Sequence, residues 1–251
     1  MADLPFQAST FLILFARIGA VVMLLPAFSD DGIPAQVRLL LAVGFSFGLY
    51  GLLGGRAAEA AAHDSTLVGT VIAEMLVGIA EGMIVRILFN AAAMAGSVIS
   101  MQVGLSSTLI ADAQMGGQVP LLAKFSATAA TVLCLVLNVH HLWIGMIVHS
   151  YDLFPVGTLP PAGDFAELAV KTIGRATTLA LGMAAPLVIY GILFNVALGM
   201  AARIAPAIQV FFIAQPLNVL LGLTLFAATI GTALMGFAQA MGEFMRSGWI
   251  L

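Results

Sequence analysis

Six long apolar runs dominate this chain and limit what it can fold into. They cover about residues 8–28, 36–53, 67–101, 121–150, 166–201 and 208–246. A helix needs roughly 20 mostly apolar residues to cross a bilayer, and each run is near or above that length. In lipid a helix satisfies its own backbone groups, and these runs lack the alternation of barrel strands. The sequence therefore predicts an all-α integral membrane protein with about six long apolar helices.

The composition points the same way. Only 8% of the 251 residues are charged and 61% are hydrophobic, whereas about 25% of a soluble domain is charged. The basic residues are scattered and form no patch of the kind that binds nucleic acid. The first run has no basic segment before it and no cleavage site after it, so we expect a retained membrane segment.

The third, fifth and sixth runs are longer than a straight crossing requires, which predicts tilted or kinked helices. The third run also contains Glu74, Glu81 and Arg86. Charges that face lipid are costly, so we expect these side chains to face protein or water. Glu74 and Glu81 are seven residues apart and share one helix face. They are candidates either for a proton relay or for pairing with a neighbouring helix or subunit.

Small residues recur at every fourth position in three places, a spacing that lets helix backbones approach closely. The stripes are Gly44/Gly48, Gly78/Gly82 and Ala92/Gly96/Ser100/Gly104.

Residues with catalytic or metal-binding chemistry do not form a motif. The sequence contains no GxSxG, Walker glycine loop, HExxH or GxGxxG followed by an acidic residue, so we expect neither an enzyme nor a cofactor. The adjacent His140 and His141 point about 100° apart on a helix, and His149 is two turns beyond them. This pattern favours hydrogen-bonded histidines over a metal site. Cys134, the single cysteine, lies in an apolar run and is expected to be a small buried hydrophobe.

A polar segment, GLSSTLIADAQMGGQVP (104–120), separates the third and fourth runs. It is nearly uncharged and rich in small residues, unlike a surface loop in water. Two interpretations stay open: a plain connector, or a flexible loop that is buried in protein or lines an aqueous path.

A second interruption, ARIAPAIQVFFIAQPLN (202–218), separates the last two runs. It predicts a turn at 202–208 and a kink at Pro216, because proline removes a helix donor. Arg203 is placed to interact with the last carbonyls of the preceding helix. The polar side chains that follow can hydrogen-bond across helices; they are Gln209, Gln215 and Asn218.

Four segments carry a resemblance to a known family. They are FARIGAVVMLLPAFSDDGIPAQVRLLLA (15–42), AGSVISMQVGLSSTLIADAQMGGQVP (95–120), NVHHLWIGMIVHSYDLFPVG (138–157) and NVALGMAARIAPAIQVFFIAQPLNVLLGL (195–223). In this order they closely resemble the FliR family of bacterial flagellar biosynthetic proteins and its relatives in virulence-type type III secretion. The resemblance covers almost the whole chain. Three positions depart from the family pattern and are not expected to carry a shared role: Ser100, Ala113 and Val139.

The resemblance implies a structural, channel-forming subunit of the flagellar type III protein export gate, in the inner membrane at the flagellar basal body. It implies FliP-like, FliQ-like and FlhB-like partner subunits, and unfolded flagellar proteins as the exported cargo. It also implies an all-helical fold with two parts, a FliP-like part over 1–155 and a FliQ-like helical hairpin over 160–251.

In that family the central loop acts as a plug in the channel, which here corresponds to 104–120. Few charges and many small residues suit a plug that packs when shut and moves for substrate, and Met115 adds a deformable apolar contact. The candidate plug residues are Gly104, Leu105, Ser106, Ser107, Asp112, Met115, Gly116, Gly117 and Gln118. The candidate structural and assembly residues are Glu74, Glu81, Arg86, Gln102, Arg203, Pro206 and Pro216.

Two other functions stay open. Broken helices and intramembrane carboxylates are also typical of small secondary transporters, although no internal repeat is evident. A passive scaffold that conducts nothing fits the same helices. Permeability and assembly measurements separate these functions from an export-gate subunit.

Overall fold

The computed structural model describes residues 3–29, 33–62, 65–112, 117–159, 161–204 and 209–247. Within these ranges the regular structure is helical except for one short β-hairpin. The elements are α1 (Asp3–Leu24), α2 (Ala35–Ala61), α3 (Leu67–Phe89), α4 (Ala91–Val103), β1 (Leu109–Asp112), β2 (Gly117–Pro120), α5 (Leu121–Val136), α6 (Val139–Leu153), α7 (Ala162–Ile204) and α8 (Val210–Arg246). The predicted all-α class is confirmed.

Four of the described helices are long and apolar enough to cross a membrane. They are Leu4–Leu24 within α1, all of α2 and α7, and Phe212–Arg246 within α8. The bent pair α5 and α6 makes a fifth candidate if it counts as one span. Large apolar side chains such as Leu40 and Val196 are exposed on these helices, as expected for surfaces that face lipid or another membrane protein.

Two of the six predicted runs are each broken into two helices. The third run divides at Asn90, between α3 and α4, and the fourth divides at Asn138, between α5 and α6. Asn138 has a left-handed backbone, with φ 59°, a conformation that asparagine adopts more readily than most residues. Hydropathy does not reveal this break because the apolar residues continue on both sides of it.

Asn138→Ala is therefore expected to destabilise the protein by about 1 kcal/mol, since alanine lacks the local hydrogen bonding that lets asparagine occupy this region. Asn138→Gly is expected to be neutral, because glycine has no Cβ to strain. Thermal unfolding in detergent, followed by the fluorescence of the buried Trp143 in α6, measures the difference. Equal melting temperatures for the two variants would contradict the strain at Asn138.

Other boundaries also differ from the sequence prediction. The segment GGRAAEAA (54–61) was expected to be a connection but continues α2, because alanine, arginine and glutamate are strong helix formers. Helix α7 extends to Ile204. Pro216 lies inside α8, whereas Pro206, in the predicted turn, lies outside the described residues.

The described chain forms two compact units. The first contains the described residues of Met1–Leu88, Asn138–Ile173 and Gly242–Leu251. The second contains those of Phe89–Leu137 and Gly174–Met241. Each unit thus takes in stretches that are distant in sequence, and α7 and α8 contribute to both.

Helix α1 approaches α3 closely in the first unit. A Cβ on Gly78 would overlap the Arg17 carbonyl, and one on Gly82 would overlap the Leu24 side chain. The small-residue spacing predicted this contact. At Gly44 and Gly48, by contrast, an added Cβ would meet nothing within 4 Å, so that stripe is not a helix contact within the described chain.

The second unit is built on the packing of α4 against α5. A Cβ on Gly96 would overlap the backbone of Leu122 and Ala123, as the long small-residue stripe predicted. Helices α7 and α8 complete the core, whose buried members are Ile99, Val103, Leu122, Ala184, Leu187 and Phe226. Cys134 is buried, as expected.

Candidate functional site

The polar 104–120 segment contains an antiparallel hairpin, where the sequence indicated only a flexible loop. Strand β1 pairs with β2 in a register that runs from Leu109 opposite Pro120 to Asp112 opposite Gly117. Two candidate plug residues, Met115 and Gly116, lie outside the described residues, as does the side chain of Asp112. Four-residue strands provide few hydrogen bonds, so the hairpin depends on what holds its base.

Backbone hydrogen bonds fix the base of this hairpin. Gly104 ends α4 in a left-handed conformation, with φ 84°. The Leu105 N–H then bonds the Ser100 carbonyl at 2.9 Å, which is the six-to-one bond of a Schellman motif. Where the return strand meets α5, the Leu121 N–H donates to the Thr108 carbonyl at 3.0 Å. The chain therefore leaves α4 and enters α5 in fixed directions.

The hairpin exposes most of its candidate plug residues. Ser106, Ser107, Gly117 and Gln118 are exposed, whereas Leu105 is half-buried. These exposed residues are uncharged, so another protein surface can cover them without desolvating a charge.

Amide and hydroxyl groups gather where α4 ends. The Asn218 amide in α8 donates to the Gln102 carbonyl at 3.2 Å. The Tyr190 hydroxyl in α7 donates to the Asn218 side-chain oxygen at 2.9 Å. Asn218 is almost fully buried, so it bonds across helices as the sequence predicted. Three helices are thereby linked beside the hairpin base.

A buried ion pair occupies the first unit. The Arg17 Nε lies 2.8 Å from Glu74 Oε2, and Arg17 Nη2 donates to Glu74 Oε1 at 2.8 Å. Both side chains are fully buried. This fork-to-fork geometry is the strongest form of an arginine–carboxylate contact. It satisfies the expectation that Glu74 faces protein and shows its partner to be a neighbouring helix, α1.

The loop that follows α6 completes the environment of this pair. Arg17 Nη1 donates to the Phe154 carbonyl at 2.9 Å, and the Gly157 N–H donates to Glu74 Oε1 at 2.9 Å. The guanidinium carbon also lies 4.1 Å from the centre of the Tyr151 ring, a cation–π contact. The ion pair therefore joins α1, α3 and the loop after α6.

Glu81 is buried on the same face but has no such partner. The Ser150 hydroxyl faces its carboxylate but donates to the Ile147 carbonyl at 2.8 Å. No other donor within the described ranges reaches either carboxylate oxygen of Glu81. The two glutamates that the sequence grouped together thus have different environments.

The remaining candidates are dispersed. Arg86 is half-buried in the last turn of α3, and Arg203 is exposed in the last turn of α7. Pro216 is exposed within α8. The His149 Nδ1 lies 3.4 Å from an Asp152 oxygen, while the rings of His140 and His141 contact each other.

Sequence reasoning missed two important residues, Arg17 and Tyr190. Arg17 had a usable signal, because it is the one charged residue within the first apolar run, and an intramembrane charge needs a partner. Tyr190 had no comparable signal, since a tyrosine in an apolar helix is ordinary.

The sequence of this chain is similar to those of known proteins. Residues 8–244 match the model of a family described as bacterial export proteins, family 1. The chain is 35% identical to the flagellar biosynthetic protein FliR of Caulobacter vibrioides over 240 residues, 96% of each protein. It is 32% identical to that of Bacillus subtilis, covering 83% of this chain and 81% of the relative. For Escherichia coli the identity is 30%, covering 84% and 80%.

Proposed function

Because this chain belongs to the bacterial export proteins, family 1, we propose that it is a structural, channel-forming subunit of the flagellar type III protein export gate. Its relatives are flagellar biosynthetic proteins, and its long apolar helices suit a membrane protein. The proposed place is the inner membrane at the flagellar basal body. The proposed cargo is unfolded flagellar protein.

Within this gate we assign the plug to the 104–120 hairpin. The observation that carries the assignment is its construction: the base is fixed to α4 and α5 by backbone hydrogen bonds, while its described side chains beyond the base are mostly exposed and uncharged. Such a segment packs against neighbouring protein when the conduit is closed. Because two short strands alone are marginally stable, it moves aside at little cost when cargo enters.

The proposed partners are FliP-like, FliQ-like and FlhB-like subunits. In this proposal residues 1–155 take the place of a FliP-like subunit and residues 160–251 that of a FliQ-like helical hairpin. The exposed apolar side chains of α2, α7 and α8 support such assembly, because they are available to neighbouring helices as well as to lipid.

Replacing residues 106–118 by a short glycine linker tests the plug. The linker can close the gap because Leu105 and Leu121, on either side of it, both hydrogen-bond Thr108 in the native hairpin base and so lie close together. The variant is co-expressed with its FliP and FliQ partners, purified as a complex and reconstituted into vesicles that contain a small fluorescent dye. We expect dye release several-fold faster than from the wild-type complex, since the conduit has lost its closing segment.

The control is Thr224→Val, which removes a hydroxyl that bonds only its own helix on the exposed face of α8. It is expected to assemble and to hold dye like the wild type. An assembled linker variant with wild-type dye retention would refute the plug and leave a passive scaffold. A chain that never co-purifies with its partners would refute the export-gate role itself.

A further inference from the structure

The last turn of α4 fits into a recess formed by α7 and α8. The Gln102 side chain lies against Gly191 of α7, where a Cβ would overlap it. The Val103 side chain lies against Gly222 of α8 in the same way. Gln102 and Val103 thus each pack against a glycine, one on α7 and the other on α8. The missing side chains allow α4 to approach both helices closely.

Gly104, the residue that follows Val103, also contacts α8. The Gln215 amide nitrogen lies over Gly104, so a Cβ there would displace the end of the Gln215 side chain. Gly104 is also the left-handed residue from which the hairpin starts. Its left-handed conformation favours glycine, and Gln215 and Asn218 of α8 lie against it, so the start of the hairpin is fixed in direction and contacts α8.

Asn218 adds directional bonds to this packing. The last carbonyls of a helix lack partners within the helix, and Asn218 supplies a donor to one of them, the Gln102 carbonyl. Its own side-chain oxygen accepts from Tyr190. Asn218 is 8% exposed, so water gives little help to a group that loses its partner here.

We propose that the α4 socket, made of Tyr190, Gly191, Gln215, Asn218 and Gly222, sets the position of the 104–120 hairpin. Asn218 is the positioning residue of this device. Because Asn218 links α4, α7 and α8, a displacement of α7 relative to α8 moves the end of α4. The base of the hairpin, which follows α4, moves with it. The consequence for conduit closure rests on the proposed function, but the positioning itself does not.

Asn218→Leu tests the socket, because leucine has a similar volume and makes neither hydrogen bond. A nitroxide on Ser107→Cys reports hairpin mobility in the co-purified complex; Ser107 is exposed and the native Cys134 is buried. We expect Asn218→Leu to give a clearly more mobile spectrum, and Tyr190→Phe, which leaves the Asn218 bond to the Gln102 carbonyl in place, a smaller change. If Asn218→Leu does not assemble, Tyr190→Phe decides the question alone.

Asn195→Leu is the matched control. Asn195 lies on α7, as Tyr190 does, but it is exposed and its amide donates to the Gly191 carbonyl of its own helix at 2.8 Å. It should leave the spectrum unchanged. Wild-type mobility in assembled Asn218→Leu, or in Tyr190→Phe if that is the variant assayed, would overturn the proposal. So would an equal rise in the Asn195→Leu control.

Dye release separates this proposal from the plug. If the linker variant leaks, Asn218→Leu is expected to leak at an intermediate rate, because the hairpin is present but displaced. If the linker variant does not leak, the plug is refuted, and the nitroxide spectrum still decides whether the socket positions the hairpin.

Discussion

Glu74→Gln is expected to lower the free energy of unfolding by about 3–5 kcal/mol, the usual cost of removing one partner from a buried ion pair. The amide has nearly the shape of the carboxylate, so packing is preserved. What is lost is the negative charge opposite Arg17, which is fully buried in the first unit. The guanidinium then keeps only its contacts with the Phe154 carbonyl and the Tyr151 ring, which do not neutralise its charge.

Thermal unfolding of the purified complex, together with the amount of protein in membranes, measures this effect. Glu81→Gln is the matched control on the same helix face, and it should change little because no donor within the described ranges bonds that carboxylate. Arg17→Met combined with Glu74→Met should recover most of the loss, since apolar replacement of both partners is often neutral. Equal destabilisation by Glu74→Gln and Glu81→Gln would contradict the role assigned to the pair.

Gly96→Ala should cost about 1–3 kcal/mol, because a single methyl group has no space between α4 and α5. The added Cβ would overlap backbone atoms of Leu122 and Ala123, which cannot rotate away as a side-chain tip can. The two helices that support the hairpin must therefore separate. A faster dye release is expected to accompany the lower melting temperature.

Gly182→Ala in α7 gives the comparison. Nothing lies within 4 Å of a Cβ at that position, so the exchange should stabilise by up to about 1 kcal/mol through helix propensity. The two alanine variants are thus expected to differ in sign. If both stabilise the complex, the contact of α4 with α5 is looser than described.

The sequence was sufficient to predict that a charged side chain faces protein where exposure to lipid would be costly. Glu74 and Glu81 were expected on one protected face because two carboxylates in an apolar helix have few other places to go. The partner could not be deduced, since the apolar pattern does not say which helices are neighbours. Arg17 meets Glu74 through packing between α1 and α3 that depends on Gly78.

The hairpin and the helix breaks were harder to predict for a different reason. Strands β1 and β2 have four residues each, too few for alternation to show, and one contains glycine and proline, which disfavour strands. Asn138 turns the backbone without glycine or proline, within a run that stays apolar. The family resemblance identified the segment as a unit, but its folding depends on local backbone geometry.

The Arg17–Glu74 pair also constrains how the protein is made. Arg17 lies in α1, whereas its partners Glu74 and Phe154 come from much later in the chain. An arginine near the centre of a membrane helix costs about 3 kcal/mol, and in the folded protein Glu74 of α3 and the Phe154 carbonyl offset this cost. Stable insertion of α1 is therefore expected to depend on the later synthesis of α3, which carries the acidic counterpart of Arg17.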